Sequence, residues 1–108
     1  MAQFLDTVTL TNANQVYNLW SLLSASMPTL PTCAQALMLQ VDRNANSSAH
    51  IFIGDGKLRT IATSYGADLS AGWTYSIDSQ QSNMLSLNEL YLRSDTSSIL
   101  VHVTVIVR

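Results

Sequence analysis

Charge is scarce in this chain. Asp, Glu, Lys and Arg make up 11% of its 108 residues, against about 25% in an ordinary soluble domain. Five basic residues cannot neutralise a track of phosphates, so nucleic acid is excluded as a partner held by bulk electrostatics. Cysteine is scarcer still. Cys33 stands alone, which rules out an internal disulfide and any need for an oxidising compartment. No His or Lys accompanies it in PTLPTCA, so a buried, inert thiol is expected. Long apolar runs are missing too, and none approaches the ~20 residues that span a bilayer. MAQFLDTVTL lacks a basic segment followed by a long apolar run, so neither a signal peptide nor a membrane anchor is expected. Synthesis in a reducing cytoplasm follows as the expectation.

What is present is apolar and neutral-polar. Hydrophobic residues reach 47%, and Ser, Thr, Asn and Gln supply most of the rest. A surface of neutral polar groups repels its neighbours weakly, which favours close packing against other proteins. The length suits one domain over residues 1–108. At this size burial and chain entropy nearly balance, so a lone subunit is expected to be marginally stable.

Periodicity changes along the chain. QFLDTVTL alternates, with Phe4, Asp6, Val8 and Leu10 on one face and Leu5, Thr7 and Thr9 on the other. In TNANQVYNLWSLLSASMP, Val16, Leu19, Trp20 and Leu23 fall on one helical stripe. Asn12 as N-cap and Gln15 three residues on resemble a capping box, and Pro28 and Pro31 forbid continuation. The spacing therefore predicts an amphipathic helix over about residues 12–24. Everything later reads as strand: ALMLQVD, AHIFIGD, LRTIAT, GWTYSID, LYLRSD and ILVHVTVIVR, divided by turn clusters such as RNANSS and DTSS. Trp73, Tyr75 and Ile77 share a face, and Val101, Val103, Val105 and Val107 form a β-branched row. The fold class expected is mainly β: an antiparallel β-sandwich, jelly-roll-like, with one helix near its start.

Candidate sites dissolve one by one. In IFIGDGKLRT a Gly-acid-Gly-Lys cluster follows an apolar run, as a phosphate-cradling loop would. Such a loop needs its glycines five positions apart, then Lys and a hydroxyl residue opening a helix. Gly54 and Gly56 are two apart, Lys57 precedes Leu58, and the next segment reads as strand, so a turn with one or more positive φ values is expected. Asp42-Arg43-Asn44-Ala45-Asn46 imitates the start of a calcium loop, but the sixth position is Ser47 and the twelfth Ile53, where Gly and Glu are required. Turn formers bonding to their own backbone are the simpler reading. His50 and His102 are single strand histidines far apart in the chain, whereas a metal site needs three or four ligands and Cys33 is the only thiol available. No G-x-S-x-G elbow accompanies them. They read as solvent-facing or hydrogen-bonded, with a scattered hydrolase or isomerase site around either as a rival. Trp73 and Tyr75 suit a sandwich core, or else a platform for stacking a sugar. Asn46-Ser47-Ser48 fits a glycosylation sequon, which means little without a secretory signal. No enzyme activity, cofactor or metal is expected.

LQVDRNANSSAHIFIGDG, YGADLSAGWTYSID and ELYLRSDTSSILVHVTVIV, in that order, resemble small virion proteins of tailed bacteriophages. These are short β-sandwich proteins that decorate or cement a capsid, or serve as head fibres. The likeness covers residues 36–107, with an L-x-L-Q-x-D strand, a strand ending in Gly-Asp, an L-x-A-G turn before an aromatic strand, and a valine-rich final strand. The resemblance implies a non-enzymatic structural role on the virion surface, with the major capsid protein or another virion protein as partner. It also implies a homo-oligomer, a trimer favoured over a dimer, and no nucleic-acid or membrane partner. Candidate interface residues are the apolar side chains of expected loops: Met27, Leu30, Met84 and Leu85. All four could equally plug the ends of the sandwich. The alternative function is a carbohydrate-binding fibre module with Trp73 and Tyr75 as its platform.

Overall fold

The computed structural model describes residues 2–59, 65–79 and 85–108. The chain forms β1 (Ala2–Leu10), β2 (Val16–Asn18), α1 (Leu19–Ser26), β3 (Cys33–Ala34), β4 (Ala36–Val41) and β5 (Ile51–Gly54). It continues with β6 (Ala67–Leu69), β7 (Thr74–Asp78), β8 (Leu85–Ser86), β9 (Tyr91–Ser94) and β10 (Ile99–Val107). One four-stranded sheet has the order β1-β10-β4-β7 and the other β2-β9-β5-β6, while β3 and β8 pair separately. Every described ladder is antiparallel. With β3 and β8 set aside, the pairs run first strand with last, second with second-last and so inward, alternating between sheets. That is one long antiparallel hairpin wound around a core, the jelly roll expected from the sequence.

The core forms where the inward rows of the two sheets meet. Val101, Val103 and Val105 of β10 stand between Val8 and Leu10 of β1 and Leu37, Leu39 and Val41 of β4, all buried. Ile51, Ile53, Leu69 and Leu92 close it from the second sheet. Alternation sorts the faces as the sequence reads: Thr7 and Thr9 lie outside with Leu5, and Phe4 packs partly against the core. Leu19 and Leu23 of α1 are fully buried and close the open side of the sandwich near β1 and β2.

The helix starts later than its stripe predicts. Residues 16–18 pair instead with β9, Val16 opposite Arg93 and Asn18 opposite Tyr91. A waiting strand outcompetes helix propensity here, because a β-branched and an aromatic residue gain more from a ladder than from an exposed first turn. Asn14 adopts a left-handed φ of 63° and donates its N–H to Ser94 O, which no helix over residues 12–15 would allow. The capping-box pair does meet, but side chain to side chain: Asn12 Nδ2 donates to Gln15 Oε1 at 2.8 Å. The true N-cap is Asn18, whose Oδ1 accepts from Ser21 N–H at 3.0 Å while its Nδ2 donates to Asn88 O.

Other expectations are corrected in detail. Neither Gly54 nor Gly56 uses a positive φ; among the described residues only Asn14, Ser98 and Gly72 do. Asp55 makes the turn, accepting Lys57 N–H on its carboxylate and Leu58 N–H on its carbonyl. Gly56–Arg59 is then a 3-10 turn where LRTIAT was expected to extend, and residues 60–64 lie outside the described ones. Cys33 is exposed rather than buried, at the start of its two-residue strand. The RNANSS cluster behaves as turn chemistry: Asn46 Oδ1 accepts from Ser48 N–H and Asp42 O from Ala45 N–H.

Asn18→Ala should lower unfolding free energy by about 1 kcal/mol through loss of the cap, with a further loss from the freed Asn88 carbonyl. Asn18→Asp should recover the cap share alone. Urea denaturation of the three proteins separates the two contributions.

Candidate interaction surface

The outer face of the β1-β10-β4-β7 sheet is four strands wide and carries the two nine-residue strands. Register lays its side chains out in rows across four strands: Leu5, Thr104, Met38 and Ser76 form one, and Thr7, His102, Gln40 and Thr74 the next. Gln3, Ile106, Ala36 and Asp78 form a third, and Thr9 and Leu100 flank them. Only His102 and Asp78 on these rows can carry charge. Leu5 is 65% exposed and Met38 47%, and Leu100 is exposed as well. A shallow apolar depression of about 230 Å³ lies between Ala36, Met38, Ser76, Asp78, Thr104 and Ile106. Such a face offers dispersion and neutral hydrogen bonding at little desolvation cost, which suits contact with another neutral protein surface.

The outer face of the second sheet is chemically different. Register aligns Val16, Arg93, Phe52 and Asp68 in one row. The Arg93 guanidinium sits 4.5 Å above the Phe52 ring centroid, and the Tyr65 ring lies 4.7 Å from that of Phe52, tilted by 47°. His50 stacks at 6.2 Å with its plane tilted by 14°. His50 Nδ1 is 2.9 Å from Asp68 Oδ1, and its backbone N–H donates to Asp95. The Asp68 hydrogen bond, then the Asp68 charge, raises the His50 pKa above its ordinary 6.5; slight desolvation opposes this. This is a cross-strand ladder of cation, ring and ion pair that stiffens its own sheet.

His102 brings together the groups of a nucleophilic triad in order. Thr7 Oγ1 is 2.9 Å from His102 Nδ1, and Asp42 Oδ1 is 3.6 Å from His102 Nε2. The second distance is too long for a hydrogen bond, and the imidazole stands on an open sheet face. Three surface depressions are each lined by residues other than His50 and His102. Both histidines are hydrogen-bonded and partly solvent-facing, as read from the sequence. Among the described residues no three His, Cys, Asp or Glu side chains group closely enough to hold a metal ion. No helix there is long and apolar enough to cross a membrane.

The candidate residues read from the sequence scatter. Leu30 is only 4% exposed and belongs to the core, as a plug of the sandwich would. Met27 and Leu85 are half-buried against the same core. Met84 lies outside the described residues. Trp73 and Tyr75 part company: Tyr75 packs partly against the core, whereas Trp73, one residue ahead of β7, is 57% exposed. The core reading fails for Trp73 because Gly72, at φ 80°, turns the chain just before it, and Trp73 O accepts from Val41 N–H. Leu5, Met38 and Leu100 were missed as contact candidates. Their signal was available, since each is a large apolar residue on the polar phase of an alternating strand. No family model matches the chain, and no curated protein matches it in sequence.

Because the folded-state pKa of His50 is raised, the His50–Asp68 pair contributes fully below the unfolded value of about 6.5 and fades as pH rises through the raised one. An NMR titration should place His50 above 6.5, and Asp68→Asn should bring it back down. A value at or below 6.5 in the unsubstituted protein would refute the pairing in solution.

Proposed function

We propose that this chain is a non-enzymatic virion structural protein: a decoration or cement protein that binds the outer capsid surface of a tailed bacteriophage and stabilises the head. The observation that carries this reading is the neutral outer face of the first sheet, four strands wide with Leu5, Met38 and Leu100 exposed on it. A jelly roll is a rigid slab, and a slab with one low-charge face can lie across a boundary between capsid subunits. Contacts to both sides of the boundary raise the free energy of separating them. Many copies on one particle then act together by mass action and multivalency. The partner would be the major capsid protein or another virion protein. The order of segments that resembles small phage virion proteins, and the virus-associated uses of this architecture, support the same reading by analogy.

Imaging intact particles with and without the protein tests it: ordered density on the icosahedral lattice is expected only when the protein is present. Met38→Glu, on an exposed strand position, should keep the fold and lower occupancy on particles at least about tenfold, an effect of ~1.4 kcal/mol. Undiminished occupancy would remove this face from the contact.

A second reading draws on one observation. Trp73, 57% exposed beside a left-handed turn, offers a single aromatic ring to a sugar. Saturable quenching of tryptophan fluorescence by one sugar class, abolished in Trp73→Ala, would establish a carbohydrate-binding fibre module in place of the capsid role.

A further inference from the structure

Among the described residues the two four-stranded sheets end in four edges, and these are unequal. β2 and β6 are three residues long and β7 five, but β1 runs for nine in unbroken register with β10. Proteins usually blunt a long edge with lysine, proline, a bulge or an inward charge, because unpaired backbone groups invite another strand. β1 has no lysine, no proline and no bulge. Of these devices it has only the inward charge, Asp6, and that carboxylate is already held by the Ser26 hydroxyl at the end of α1 and by the Thr7 N–H.

The direction of the open groups follows from a single hydrogen bond. Thr7 N–H donates to Asp6 Oδ1 at 2.8 Å, so it is turned away from β10. In an antiparallel ladder successive residues alternate in this respect, which turns the N–H and C=O groups of Gln3, Leu5 and Thr9 outward too. Among the described residues, no backbone-to-backbone hydrogen bond outside the β1–β10 ladder reaches any residue of β1.

We propose that β1 is a self-association edge, where a second copy of the chain adds its own β1 antiparallel to the first about a two-fold axis through Leu5. Charge excludes one neighbouring register, and the exposed Leu5 side chain favours its own. Centring the pair on Asp6 would set two carboxylates directly opposite each other, which destabilises a ladder. Centring it on Leu5 sets Asp6 opposite Phe4 and pairs Gln3 with Thr7, forming about six main-chain hydrogen bonds once each Thr7 N–H exchanges the Asp6 carboxylate for the Gln3 carbonyl of the other copy. The outward-facing residues then meet one another, as hydrogen-bonded pairing requires. Leu5, the most exposed large apolar residue described, covers its own counterpart. The two sheets merge into one of eight strands, four from each copy, with both neutral outer faces on the same side. The open edge thus favours two-fold association over the trimer expected from the sequence. The inference stands on strand order and backbone bonding, independent of the virion reading.

A strand edge buries less than the ~800 Å² per partner of a standard interface, so the dimer is expected to be weak and concentration-dependent. Sedimentation equilibrium should show a reversible monomer–dimer exchange. Leu5→Lys and Leu5→Glu should each raise the dissociation constant at least about tenfold. An equimolar mixture of the two should recover dimer, because position 5 faces itself. Thr74→Lys, on the opposite edge, should change nothing. Without any variant, amide exchange at Gln3 and Leu5 should slow as protein concentration rises. A monomer at every concentration, a trimer, a dimer indifferent to both Leu5 variants, a mixture that stays monomeric, or a dimer lost in Thr74→Lys would each overturn the proposal.

Discussion

The ladders that β10 makes with β1 on one side and β4 on the other set the parity of the whole sheet. Val101, Val103 and Val105 face inward, and the register carries that choice sideways to Val8, Leu37, Leu39 and Val41. Side chains on strands alternate with period two, so a slip of one residue would exchange core for surface on every strand at once. It would bury His102, Thr104 and Gln40 while exposing the valine row. That penalty makes the register unique, and the neutral outer face is its by-product. Burial of one row dictates exposure of the other.

Parity also explains what could be read from the sequence. Strand positions and facing survived wherever alternation was long and one row was strongly apolar, as in β1, β4 and β10. The helix was misplaced because Val16 satisfies a helical stripe and a strand equally well. Only the arrival of β9, 75 residues later in the chain, decides between them. For Trp73 the core reading fails for a related reason: the alternating pattern extends one residue beyond the ladder, and Gly72 diverts the chain there. Cys33 was judged by its neighbours in sequence, yet its exposure is set by the β3–β8 pairing. Each failure lies where a distant segment, invisible to a local window, fixes a local conformation.

The distribution of charge joins fold to function. The second sheet absorbs Arg93, Asp68 and His50 into a ladder on its own surface, with Phe52 as the common ring. The first sheet is left nearly uncharged. A low charge content therefore does not make this protein uniformly neutral. It leaves one face able to approach a partner without stripping water from ions. Of the loop residues that seemed natural contact points, Leu30 is buried in the monomer's own core, and Met27 and Leu85 pack partly against it.

Ala2 and Val107 are register partners, so the earliest strand of the chain finds its place only against the latest. A ribosome builds β1 first and β10 last among the described strands. Until β10 is made, β1 lacks the strand it pairs with. Contacts this distant in sequence form slowly, and unfinished strands are exposed to association meanwhile. Asp6 lies at the middle of that waiting segment, a charge that discourages stacking of nascent copies on one another until translation delivers the rest of the sheet.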